Sequence, residues 1–138
     1  MGSHFIKAPA VGDRLVHKTF PAINRYTLAL YCGASGDLNP MHVDIDFAKK
    51  AGFPDVFSHG MLVMGYLGQA LTDAVRPDAI RSFSTRFSAI TQLGTKLTCE
   101  GAVTEVFEAG GEKRARLALT TKDEMGEVKL AGEAVIAI

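Results

Sequence analysis

The sequence predicts an α+β fold in which a long antiparallel sheet curls around one central, buried helix. Three observations lead there. Helical spacing of apolar residues dominates the first half of the chain, and from Ile80 onward the period changes to two. Strands gathered after helices, rather than alternating with them, argue against βαβ units. The most apolar helical stretch has no second helical layer to cover its far side, which leaves that task to the sheet. The 138 residues are read as one domain spanning 1–138, since a single domain typically takes ~150.

Taken in order, Leu15, His17 and Thr19 alternate with Val16, Lys18 and Phe20 before Pro21, a short strand without clear sidedness. Asn24 can cap a helix over 25–33, with Tyr26, Ala29, Leu30 and Gly33 at helical spacing. The run Ser35-Gly36-Asp37-Leu38-Asn39-Pro40 breaks it. Asp44 can cap a second, short helix through Phe47, Ala48 and Ala51, stopped by Gly52 and Phe53-Pro54. Ser58-His59-Gly60 then opens the helix over 61–75, apolar around nearly its whole circumference and so expected to be buried on most sides before Pro77 ends it. Four runs of period two follow: Phe83, Thr85, Phe87 and Ala89; Leu97, Cys99, Gly101 and Val103; Ala115, Leu117, Leu119 and Thr121; Val128, Leu130, Gly132, Ala134 and Ile136. Gly94, Gly110-Gly111 and Gly126 lie between the runs and supply turn residues for successive antiparallel connections. A curled sheet keeps an exposed edge, and that predicts pairing with a second copy, a homodimer.

Composition excludes several classes of function. Fifteen Lys+Arg against fifteen Asp+Glu leave no formal charge, which argues against nucleic-acid or membrane-surface binding by bulk attraction. The strongly apolar stretch 61–71 is too short to span a bilayer, and no secretory leader precedes it. Met1-Gly2-Ser3-His4 is given no structural weight. Cys32 and Cys99, without CxxC spacing, suggest neither a disulfide framework nor a zinc knuckle and fit a reduced, cytoplasmic setting. Cys32, beside Gly33, reads as a small core residue rather than a nucleophile. His42, Asp44, Asp46 and His59 lack any H-E-x-x-H or Cys/His ligand spacing, and neither G-x-x-x-x-G-K-[ST] nor G-x-G-x-x-G occurs; no metal and no cofactor is expected.

The densest polar cluster is Gly36-Asp37-Leu38-Asn39-Pro40-Met41-His42. Pro40 disfavours helical backbone at Asn39 and cannot continue a helix, so the segment must turn or extend, and a turn can aim Asp37 and His42 at one point. A carboxylate and an imidazole converging on a water form an acid/base pair. The structural alternative makes Asp37 and Asn39 formers of Asx turns and His42 a satisfied flanking histidine. The second cluster is His59-Gly60 at the mouth of the apolar helix. Free N–H groups there carry partial positive charge, and a glycine lets a ligand oxygen approach. A tight loop-to-helix junction is its alternative.

Together, in this order and spacing, the two clusters resemble the MaoC-like (R)-specific enoyl-CoA hydratases and dehydratases of the hot-dog fold superfamily. The resemblance rests on Y-C-G-A-S-G-D-L-N-P-M-H-V-D-I-D-F-A from Tyr31 to Ala48, on Ala51-Gly52-Phe53, on His59-Gly60-Met61-Leu62, on Arg86-Phe87 and on Gly132-Glu133-Ala134. It implies a hot-dog fold and the reversible hydration of a trans-2-enoyl thioester, carried by CoA or acyl carrier protein, to the (R)-3-hydroxyacyl thioester. It further implies that Asp37 and His42 hold the water, that Asn39 helps orient it, and that the Gly60 N–H faces the thioester oxygen. Two departures stand out. Gly68 occupies the place of a helix serine that supports the aspartate, and Thr91-Gln92-Leu93-Gly94 lacks the prolines of the corresponding loop. An acyl thioesterase using the same oxyanion site and a non-catalytic subunit completing a partner's pocket are the rival readings. The intact D-x-N-P-x-H argues against both.

Overall fold

The computed structural model describes residue 5 and residues 7–138; the Met1-Gly2-Ser3-His4 opening lies outside the described residues. Five strands, β1 (Arg14–Thr19), β2 (Ile80–Phe87), β3 (Thr98–Ala109), β4 (Glu112–Lys122) and β5 (Val128–Ala137), form one antiparallel sheet in the order β1-β3-β4-β5-β2. Helices α1 (Arg25–Ser35), α2 (Ile45–Lys50) and α3 (Gly60–Ala74) precede β2. The sheet meets α3 through β1, β3, β4 and β5, the sheet-around-helix arrangement that the periodicities predict. Leu67 and Leu71 of α3 join Leu97, Leu117, Leu119 and Leu130 in the core, each worth roughly 1.5–3 kcal/mol of burial.

Asn24 caps α1 as expected, its side-chain oxygen accepting the Thr27 N–H at 2.8 Å. The helix runs to Ser35, two residues beyond the expected end, because Gly36 takes the left-handed conformation that closes it and donates its N–H to Cys32 O. Its inward face differs from a stripe through Tyr26 and Leu30: Leu28 and Cys32 are buried, whereas Tyr26 is 71% and Leu30 55% exposed. Two apolar stripes share this helix, and periodicity does not say which meets the core. Burial of α3 is likewise narrower than expected. Val63, Leu67, Ala70 and Leu71 face the sheet, while Met61 is 56% exposed and Gly65, Gln69 and Thr72 are exposed as well. One sheet covers one side of a helix.

The connection from β2 to β3 is a crossover, where successive antiparallel neighbours were expected. β2 pairs with β5 at the far edge of the sheet, ends at Phe87 short of Ala89, and residues 88–97 carry the chain across to β3. Gly94 therefore serves a loop, with φ +86° and its N–H donated to Ile23 O at 2.7 Å. β3 runs on to Ala109 through an irregularity between Val103 and Glu105. Gly110 and Gly111, both at positive φ, then make the two-residue hairpin to β4 that their sequence predicts. At the other edge β1 has a side after all, with Val16 buried against the core.

Candidate active site

The turn after α1 is built from nested side-chain-to-backbone bonds. Ser35 Oγ donates to Tyr31 O at 2.6 Å and accepts the Asp37 N–H at 3.1 Å. Asp37 Oδ1 accepts the Asn39 N–H at 3.3 Å, and Asn39 Oδ1 accepts the Met41 N–H at 3.1 Å. Pro40 starts a 3-10 turn over Pro40–His42, as its fixed φ and missing N–H favour. Both Asx contacts are thus present, and they do not exclude convergence: the same turns drive His42 into a buried position and leave Asp37 at the surface beside it. The Asn39 carbonyl oxygen is committed to the Met41 N–H, so its structural work is to hold the turn.

His42 has a defined tautomer. Its Nδ1–H donates to Phe57 O at 2.7 Å, so in the neutral ring Nε2 is the nitrogen that carries the lone pair. The ring lies edge-on to Phe57 and stacks on His59, with centroids 3.9 Å apart and planes inclined by 28°. His59 is 1% exposed. Burial, and then the neighbouring His42, push its pKa below the usual histidine range, with Asp37 opposing more weakly. Cys32 Sγ lies 3.2 Å from His59 Nε2; burial raises the Cys32 pKa and Asp37 adds to the rise. The thiol accordingly keeps its proton, and the enclosed Nδ1 of His59 has no hydrogen-bond partner. Tyr31 packs edge-on against His59, with centroids 4.6 Å apart.

One ligand atom each from Asp37, His42 and His59 falls within 4.8 Å of the others. The predicted pair therefore meets, and His59 meets it too. Asp44 and Asp46 do not: Asp44 Oδ1 caps α2 by accepting the Asp46 and Phe47 N–H groups. Two ring nitrogens of the cluster already have partners, His42 Nδ1 on Phe57 O and His59 Nε2 on Cys32 Sγ, which reduces what it offers a metal ion.

Next to His42 opens a cleft of about 350 Å³. Phe57, Ser58, Gly60 and Val63 line one part of it; Phe87 at the end of β2, residues 88–91 of the crossover, and Lys129 and Leu130 of β5 line the rest. Gly60 is the first residue of α3, whose start receives no side-chain cap, so its N–H groups are those a helix leaves for a ligand. The site lies close against Gly60: a Cβ there would stand 3.1 Å from the Phe87 ring. Sequence reasoning missed the contribution of the crossover and of Lys129. Alternation through Val128 and Leu130 places Lys129 outward, but the register shifts between Thr121 and Lys122 and buries Lys129 and Leu130 together.

Fold and site together define a hot-dog domain of the hydratase type. The chain belongs to the family described as the MaoC like domain, which matches residues 7–125. It is 32% identical over 118 residues to the (R)-specific enoyl-CoA hydratase of Rhodospirillum rubrum, covering 84% of this chain and 80% of that protein. It is 38% identical over 85 residues to the peroxisomal enoyl-CoA hydratase 2 of Arabidopsis thaliana, a match covering 59% of this chain and 26% of the plant protein. Among solved structures, the unliganded (R)-hydratase PhaJ1 of Pseudomonas aeruginosa is similar with a TM-score of 0.81 and 29% identity, over 93% of this chain and 81% of that one.

Proposed function

We propose that this protein reversibly hydrates a trans-2-enoyl thioester to the (R)-3-hydroxyacyl thioester. The observation that carries the reading is the meeting of the Asp37 carboxylate and the His42 imidazole beside an uncapped helix start and a largely apolar cleft. Water held by the pair loses a proton to it as oxygen bonds to the β-carbon, and the electrons of the double bond move onto the thioester oxygen. The Gly60 N–H and the α3 dipole stabilise that charge. The pair then returns a proton to the α-carbon, so the protein ends the cycle unchanged. Asn39 contributes by fixing the turn. The substrate's carrier is CoA or acyl carrier protein, and no cofactor enters the step. Two buried, unbridged thiols, Cys32 and Cys99, support a reducing, cytoplasmic setting. The exposed apolar side chains on α1 and α3 and the open edge of β2 support a homodimer.

Loss of the enoyl absorbance of crotonyl-CoA and longer trans-2-enoyl-CoA esters, with chiral analysis of the product, tests the reading. Asp37→Asn and His42→Ala are expected to fold and to lose ~10² to 10⁴ in rate. Gly60→Pro, which removes one donor at a position where helices accept proline, is expected to lose ~10² to 10³ in kcat. Parental turnover by either dyad variant would end the assignment, and release of free CoA in place of the hydroxyacyl product would favour a thioesterase.

A further inference from the structure

Lys129 is the only lysine or arginine among the described residues lining the cleft. Its side chain is 5% exposed, and a buried ammonium needs partners. It has three: the Ile90 carbonyl at 2.9 Å, the Glu127 carboxylate, and Asp123 Oδ2 at 3.6 Å. With two N–H bonds engaged and Asp123 beside it as an ion pair, the ammonium is turned to these partners and the four-carbon stem is what Lys129 offers to the cleft. Its carboxylate partners sit on a fixed frame, because Asp123 Oδ1 accepts the N–H groups of Met125 and Glu127 at 2.9 and 2.8 Å in the turn before β5.

Through Lys129 this frame reaches the crossover wall. The wall's ends are held by backbone: Ser88 N–H donates to Lys129 O, and Ser58 N–H donates to Thr91 O, both at 2.9 Å. Between them Ala89 and Ile90 are exposed and pack weakly, and the ammonium on the Ile90 carbonyl ties down that middle. Ile90 directly precedes Thr91-Gln92-Leu93-Gly94, the loop that lacks the expected prolines, so a side-chain strut holds the backbone leading into it. An acyl chain long enough to push on this wall must break the strut, leaving an ammonium and its partners unsatisfied at the margin of the core.

Resting on the hydratase reading above, we propose that Lys129 is a specificity-determining residue that limits acyl chain length by filling part of the cleft and bracing Ile90. The test compares kcat/KM for crotonyl-CoA with that for trans-2-dodecenoyl-CoA in the parental protein and in Lys129→Ala, Lys129→Met and Lys129→Arg. The parental protein is expected to favour crotonyl-CoA. Lys129→Ala and Lys129→Met are expected to shift the ratio toward the longer ester by about tenfold or more, the scale on which pocket contacts discriminate chain length. Lys129→Arg, which keeps donors for the Ile90 carbonyl, should shift it less. If the lysine variants do not fold, Glu127→Gln, at an exposed carboxylate, is expected to move the ratio in the same direction by about threefold. An unchanged ratio in folded variants, a proportional loss on both esters, or a parental preference for the longer ester would overturn the proposal while leaving the hydratase reading intact. A parental protein inactive on every enoyl thioester would instead remove that reading and this one with it.

Discussion

His59, stacked on His42 and bonded to the Cys32 thiol, takes no proton easily, and this has a consequence for stability. Its folded pKa lies below the ordinary 6.5, so as pH falls through that value the unfolded chain binds the proton first. The stabilisation is complete above the ordinary value and is lost as pH falls toward the folded pKa. Thermal melts should therefore show the midpoint falling from about pH 7 to about pH 5.5, and His59→Gln should flatten that acid arm. Equal acid slopes in the two proteins would show that His59 does not drive it. The convergence of Asp37 with His42 was legible in the sequence because Pro40 restricts the backbone between them so strongly. The His59 stack was not, because ring contact joins the turn to the mouth of α3, and spacing along the chain carries no record of it.

Element boundaries and types were legible where periodicity and turn residues agreed, as in the Gly110-Gly111 hairpin. Sidedness and pairing were less so. The Tyr26 stripe of α1 and the partner of β2 are decided by tertiary contacts that local pattern cannot express. Gly132 marks the β2–β5 pairing, where the sequence pattern pointed to successive neighbours: opposite Thr85, a Cβ on it would stand 2.0 Å from Ser84 O. That oxygen is backbone in the neighbouring strand, so relief requires the two strands to separate. Gly132→Ala is expected to destabilise the protein by about 3 kcal/mol or more, among the large effects of single substitutions, measured by denaturant unfolding. A variant within about 0.5 kcal/mol of the parent would mean that the strands slide at little cost.

At the scale of the molecule, the proposed homodimer rests on the exposed Tyr26, Leu30 and Met61 and on the unpaired edge of β2, features that pairing with a second copy would cover. Light scattering at micromolar concentration should give about twice the 14.8 kDa of one chain; a fully active monomer would refute the homodimer. The strand order has a further consequence, in the time dimension of synthesis. β2 is made before its partner within the chain, β5, with residues 88–127 between them. Until β5 follows, β2 has no strand of this chain to pair with. The cleft shares this delay, since Lys129 and Leu130 arrive with β5. A half-made chain therefore has Asp37, His42 and Gly60 already translated while the part of the cleft wall formed by Lys129 and Leu130 is still missing.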